Sequence, residues 1–254
     1  MNLLNVIERS KKGSTYIYST GQAGFIIKSS NGQLLGIDLY LSDCVERIET
    51  NHTGFKRLLP KILNPEEIVF DTLICTHFHR DHYDIDSIPT LMSNKTTKLF
   101  CPEDCKEDAK KLDRVSFVNP GTVIKNGDFV LHFIKCDHGD AAPFSIGVII
   151  EVDGKLILEV GDTCFRPDLL VEYLSCGKID VMIAPINGVY GNLDAKECAV
   201  LSDMIKPKIT IPCHYGMFAA HHGDVGVFQE IMDGQFPDNK YLIMAQGEKF
   251  CIKE

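Results

Sequence analysis

The densest chemistry in the chain is the heptapeptide Thr76-His77-Phe78-His79-Arg80-Asp81-His82. In an extended segment, side chains two residues apart point the same way, so His77 and His79 can grip one cation together. Asp81 and His82, past the turn that must follow, are free to face a second cation nearby. Neutral imidazoles and carboxylates are the donors that divalent ions accept. Two ions need more than four ligands, and three further candidates each follow a strand-like run. They are His138 in Cys136-Asp137-His138-Gly139, Asp162 in Val160-Gly161-Asp162-Thr163, and His214 in Pro212-Cys213-His214-Tyr215. Asp162 suits a bridging place, because a carboxylate offers one oxygen to each cation. Among the other histidines, His132 falls inside a strand-like run and His52 in an irregular stretch. His221 and His222 follow a loop close to His214, which brings His221 within reach of a substrate.

These residues need elements that deliver them to one place. Short apolar runs at Thr15–Tyr18, Gly24–Lys28 and Leu34–Asp38 are separated by Gly21 and by Asn31-Gly32, a hairpin signal. An irregular stretch from Leu39 to Glu67 follows, broken by Pro60 and Pro65. Val69–Thr76 is a continuous β-branched and apolar run, the mark of a strand buried on both faces, and it feeds the His-rich loop. A helix is expected near Asp86–Met92. Strands are expected near Lys98–Cys101, Phe129–Lys135, Ser145–Val152 and Lys155–Val160, the last two joined by Asp153-Gly154. The strand Ile179–Pro185 leads to a Gly-rich loop and a helix over Ala195–Ile205. Asp194 and Glu197 form a capping box at its start, and Pro207 stops it. Strand Ile209–Pro212, a helix near Val225–Met232 and strands Tyr241–Ala245 and Lys249–Ile252 complete the chain. Hairpins followed by strand-helix alternation imply an α/β protein with mixed sheets and helices outside. No linker interrupts residues 1–254, which read as a single domain.

Bulk properties narrow the function. The formal charge of −9 argues against a nucleic-acid partner, which requires a basic footprint. It leaves room for a small anionic substrate held by a local cation. The apolar runs are too short to span a bilayer, so no membrane partner is expected. The 10 cysteines are scattered through strand and helix positions, where Cys behaves as a small buried hydrophobe. Glu8 and Arg9 fall where an export signal would need its apolar centre, and both features point to the cytoplasm. Cys101 and Cys105 have no second pair to complete a zinc site and read as structural. Self-association is left open.

The pattern Thr-His-x-His-x-Asp-His, a later His, Gly-Asp-Thr and a last His after a strand resembles the metallo-β-lactamase superfamily. Further segments resemble its L-ascorbate-6-phosphate lactonase branch: Gly21-Gln22-Ala23-Gly24-Phe25, Ile37–Ser42, Thr53–Arg57, Pro185–Gly191 and Ile211–Phe218. The resemblance runs from about Gly21 to Phe250 and implies a four-layer αββα sandwich with metals at one edge of the paired sheets. It implies that His77, His79 and His138 hold one divalent ion, and that Asp81, His82 and His214 hold the other, with Asp162 between them. Asp38 would lie behind the ligands and orient an imidazole. Manganese is the metal associated with that branch; zinc or iron would also suit such donors. The chain is shorter than the well-known ascorbate-phosphate lactonases. It lacks the tryptophan that many relatives carry before the Gly-Gln stretch, where Tyr16 and Tyr18 stand instead.

The implied reaction is hydrolysis of a lactone, L-ascorbate 6-phosphate or a related sugar-phosphate ester, by a water that the cations acidify. Asp81 would orient that water and pass its proton to the leaving oxygen. No Gly-x-Ser-x-Gly elbow offers a serine nucleophile. For substrate contacts the candidates are Arg166, Asn187, Tyr190, Asn192 and His221, whereas Arg80 reads as a surface ion pair. The alternatives are another ester or a phosphodiester on the same fold, or a metal-binding sensor without turnover.

Overall fold

The computed structural model describes residues 2–253. The chain opens with α1 (Leu3–Arg9), β1 (Thr15–Gly21), β2 (Gly24–Lys28), β3 (Leu34–Ile37), α2 (Cys44–Ile48), β4 (Thr72–Ile74) and α3 (Ser87–Leu91). It continues through β5 (Lys98–Cys101), α4 (Lys106–Ala109), β6 (Val115–Phe117), β7 (Val123–Asn126), β8 (Phe129–Lys135), β9 (Ile146–Val152) and β10 (Lys155–Glu159). It closes with α5 (Leu170–Tyr173), β11 (Val181–Pro185), α6 (Ala195–Ile205), β12 (Ile209–Cys213), α7 (Val225–Gln235) and β13 (Lys249–Ile252).

One sheet has the order β13-β1-β2-β3-β4-β5-β6 and the other β12-β11-β10-β9-β8-β7. Both are mixed. Hairpin neighbours pair antiparallel, while β3 to β6 and β10 to β12 pair parallel.

Side-chain alternation explains the layers. Ile17, Phe25, Ile27 and Ile37 from the first sheet meet Leu131, Val148, Ile150 and Ile183 from the second in a shared inner core. Their strand neighbours point outward. Tyr18, Ile26 and Leu73 pack with residues of α1, α3 and α4; Ile149, Leu158 and Met182 pack with residues of α5, α6 and α7. With both faces covered, β9 has no need of polar alternation. The result is the expected αββα sandwich.

Several strand ends converge on one edge. Two backbone hydrogen bonds lace the sheets together there: Ile146 N to Thr76 O at 3.0 Å and His214 N to Gln22 O at 2.9 Å.

Two expected strands are corrected. Val69–Thr76 is regular only over Thr72–Ile74, and Val69 is 57% exposed. The Asp71 carboxylate accepts from Leu34 N at 2.9 Å and ties down the approach to the strand. Tyr241–Ala245 runs beside β12 with one isolated bridge, Thr210–Tyr241. Further along, the carbonyl of Met244 accepts from the Tyr215 hydroxyl at 2.6 Å. By contrast α6 occupies the expected Ala195–Ile205, with both arms of the Asp194–Glu197 capping box formed. The helix α1 and the strands β6 and β7 were not anticipated.

Candidate metal centre

Each expected ligand arrives on a different strand end. His77, His79, Asp81 and His82 come from the loop after β4, His138 from the end of β8, Asp162 from the end of β10 and His214 from the end of β12. The loop is shaped from below by Asp84. This buried carboxylate accepts from the backbone N–H groups of Leu41 and Ser42 and from the Ser42 and Ser87 hydroxyls. It pins the segment after β3 to the segment after β4.

The structure brings all seven residues together. Donor atoms of His77, His79 and His138 lie within 4.8 Å of one another, as do those of His77, His82 and Asp162. His77 Nε2 stands 2.9 Å from His79 Nδ1, which stands 3.2 Å from His138 Nε2. His82 Nε2 is 3.3 Å from His214 Nε2. Asp162 Oδ2 lies between the two sets, 3.4 Å from His82 Nε2, 3.1 Å from His214 Nε2 and 3.9 Å from His138 Nε2. Asp81 Oδ2 is 3.5 Å from His214 Nε2 and 3.8 Å from His82 Nε2. Two donors bonded at about 2.0–2.1 Å to one tetrahedral ion stand about 3.3 Å apart. The separations here are therefore those of donors arranged around shared cations.

Protonation points the same way. Burial holds the His77 imidazole well below its ordinary value and lowers His79. Burial takes His138 down to about 4. These rings are neutral and able to ligate. Burial opposes ionisation of Asp81 and Asp162, but His82, His214 and, for Asp81, His221 outweigh it. Asp81 falls to about 2 and Asp162 well below the carboxylate range. His82 behaves differently. Burial disfavours its charge, yet Asp162, Asp38 and Asp81 raise it well above the usual value. A buried pocket that concentrates this much negative charge around one imidazole is suited to a cation. His138 Nδ1 and Gln22 Oε1 are buried without partners. The donor set therefore fits divalent metal.

Asp38 sits where the resemblance implies. Its Oδ2 accepts from His82 Nδ1 at 2.7 Å and from Thr76 Oγ1 at 2.6 Å, and its Oδ1 accepts from Thr76 N at 2.8 Å. The His82 proton is thus on Nδ1, leaving Nε2 to face the other donors. Asp38, Gln22 and His214 all have positive φ, 49°, 56° and 64°, a conformation that costs non-glycine residues about 1–2 kcal/mol each. Such strain is held where surrounding structure over-determines it. Gly24 allows this packing: a Cβ there would lie 2.1 Å from Thr20 Oγ1 and 3.0 Å from Asp38 O.

The substrate-contact candidates separate. Tyr190, Asn192 and His221 line a cavity of about 440 Å³ whose floor includes His79, Asp81, His138, Asp162 and His214. Asn192 has a further duty, since its Nδ2 donates to Asp162 Oδ2 at 2.8 Å. Asn187 does not line the cavity; its Oδ1 accepts from Asn192 at 3.1 Å and braces it. Arg166 is a correction. Its guanidinium is consumed by Asp137 and Asp168, outside the cavity, so it buttresses the segment carrying His138. Arg80 lines the cavity but pairs with Asp108 at 2.5 Å. His221 also stands with the candidate ligands: its donor atom groups with those of Asp81 and His214, and its ring stacks on His214 at 4.7 Å.

Gln22 and Asp84 were missed. Gln22 Nε2 donates to Asp81 Oδ2 at 2.9 Å and lies 3.1 Å from His214 Nδ1 and 2.6 Å from His221 Nδ1. A glutamine between two glycines in a hairpin turn was the available signal. Asp84 carried a weaker one, a carboxylate two residues beyond the last histidine of the motif.

The profile of the Beta-lactamase superfamily domain matches residues 16–214, a span that starts in β1 and ends on His214. The chain belongs to that superfamily. A "UPF0173 metal-dependent hydrolase" of Polynucleobacter asymbioticus is 26% identical, across 93% of this chain and 86% of its own. Among solved structures, a metallo hydrolase from the archaeon Ignicoccus hospitalis superposes with a TM-score of 0.73 at 20% identity, covering 95% of this chain and 99% of its own. An isothiocyanate hydrolase from Delia radicum gut bacteria gives 0.75 at 15% identity, covering 92% and 98%. At these identities the likeness is one of fold.

Proposed function

We propose that this metal-dependent hydrolase opens a lactone. The observation that carries the reading is the convergence of His77, His79, Asp81, His82, His138, Asp162 and His214, of which His79, Asp81, His138, Asp162 and His214 line one cavity. His77, His79 and His138 would hold one divalent ion. Asp81, His82 and His214 would hold a second, with Asp162 shared and His221 beside them. Such ions acidify water and polarise an ester carbonyl. Manganese is the first choice, on the resemblance to the lactonase branch.

The chain's own groups set up the rest. Asp38 fixes the His82 ring, Asn192 fixes Asp162, and Gln22 fixes Asp81. A carboxylate held by the Gln22 amide at 2.9 Å is placed to orient an attacking water. We therefore assign Asp81 to orienting the water and to relaying, not retaining, the proton that the leaving oxygen needs. Among the described residues no helix is long and apolar enough to cross a membrane. All ten cysteines are free, and most are buried, which supports a cytoplasmic setting.

The test is a substrate panel: uncharged lactones, L-ascorbate 6-phosphate, and phosphodiesters, assayed with protein loaded with manganese or zinc. Lactone opening that falls at least 1,000-fold in His214→Ala, on the order of a lost metal-site function, is the expected result. Two bound metal equivalents with no lactone opened would refute the substrate class.

A further inference from the structure

The cavity above the donors has a second half that the metal chemistry does not use. Val45, Ile48, Phe55, Phe78, Ala141 and Tyr190 form its walls. The aromatic part is braced. The Phe55 ring lies 6.2 Å from Tyr190, 6.0 Å from Phe218 and 5.6 Å, edge-on, from His221. Ile48 at 42% and Tyr190 at 58% stay exposed, so apolar surface reaches the mouth.

Charge at that mouth is sparse and of the wrong sign for an anion. Arg80 is the one guanidinium among the lining residues, and Asp108 neutralises it at 2.5 Å. Glu49 places a carboxylate on the wall, 2.9 Å from His52 Nδ1. A phosphate group bound away from the metal floor would find no unpaired cation among the described lining residues and would face Glu49. Recognition of a phosphate normally enlists an arginine fork or a lysine, and this wall supplies neither.

We propose that the substrate is an uncharged lactone or ester carrying an apolar substituent, which packs against Ile48, Phe55 and Tyr190 while its carbonyl meets the floor. This rests on the lactone reading and names its substrate class. It departs from the sugar phosphate implied by the resemblance.

The experiment uses the metal-loaded full chain. A series of γ-lactones with substituents from methyl to octyl is assayed beside L-ascorbate 6-phosphate. The matching γ-lactams, which hydrolyse far more slowly, are titrated by calorimetry. The expected result is kcat/KM and lactam affinity that both climb by up to about fourfold per added methylene until the cavity is filled. Ile48→Ser, at the exposed mouth, should flatten both slopes without changing metal content. Lactone turnover that is flat with chain length, or that favours L-ascorbate 6-phosphate, overturns the substrate class and leaves lactone hydrolysis standing. If no lactone turns over but lactam affinity still climbs, the lactone reading fails and the apolar wall stands. No turnover and a flat titration sink both.

Discussion

The His82 ring donates from Nδ1 to Asp38 Oδ2 at 2.7 Å, at a point where both side chains are 1% exposed. Asp38 is itself held by the Thr76 backbone and hydroxyl, so the orientation of His82 is inherited from the end of β3. Groups that fix a ligand imidazole set metal affinity without touching the ion.

Asp38→Asn should therefore weaken metal binding by about 10–100-fold with the fold retained. Competition against a chromophoric chelator measures the affinity, and circular dichroism checks the fold. An unchanged dissociation constant would mean that Asp38 is only a core hydrogen-bonding group.

The Gln22 amide donates to Asp81 and lies within hydrogen-bond distance of His214 and His221. In Gln22→Ala, Asp81 loses a buried donor and the two imidazoles lose a polar neighbour, at a cost of about 1–3 kcal/mol. Metal analysis after gel filtration should show the stoichiometry falling below that of the parent protein, and kcat should drop more than KM rises. A variant with full metal content and parental kcat would contradict this role.

Arg166 supports the His138 segment through Asp137 and Asp168 and does not face the cavity. Arg166→Ala should lower kcat/KM by the same factor for a charged and an uncharged ester. Were Arg166 an anion-binding residue, KM for the charged ester alone would rise, and steady-state kinetics on the two substrates separate the cases.

Asp153, in the turn between β9 and β10, accepts from Thr15 Oγ1 and from the Ser30 N–H and hydroxyl. Burial opposes its ionisation, but the Ser30 and Thr15 bonds outweigh it and lower its pKa below 3.8. A carboxyl group depressed in the folded state adds stability above its unfolded value, and that stability is lost as pH falls through the folded value. Asn tolerates the positive φ of this position, so Asp153→Asn isolates the charge. The Tm of the parent should exceed that of the variant at neutral pH, and the gap should close in acid below 3.8. A gap that stays constant into acid would refute the linkage.

What could be read from sequence was local. The helix Ala195–Ile205 was legible because the Asp194–Glu197 cap and the apolar spacing lie within one segment. The candidate ligands were legible because each His or Asp followed an apolar run that folds as a strand. The contacts of Gln22 were not: it meets Asp81 across 59 residues and His221 across 199, distances that no local pattern spans. For Arg166 the sequence offered both a substrate contact and a surface ion pair; Asp168 stood two residues away, but the second partner Asp137 lies 29 residues earlier on another strand end. Val69–Thr76 looked like one strand because composition reports apolarity, while the Asp71 anchor that shortens it is a tertiary contact.

The seven donors should hold two cations that share Asp162. Anomalous diffraction from crystals of the manganese-loaded protein, collected at the metal edge, tests it directly. Two peaks are expected, one among His77, His79 and His138 and one among Asp81, His82 and His214, with Asp162 adjoining both. A single peak, or none within bonding distance of these side chains, would contradict it.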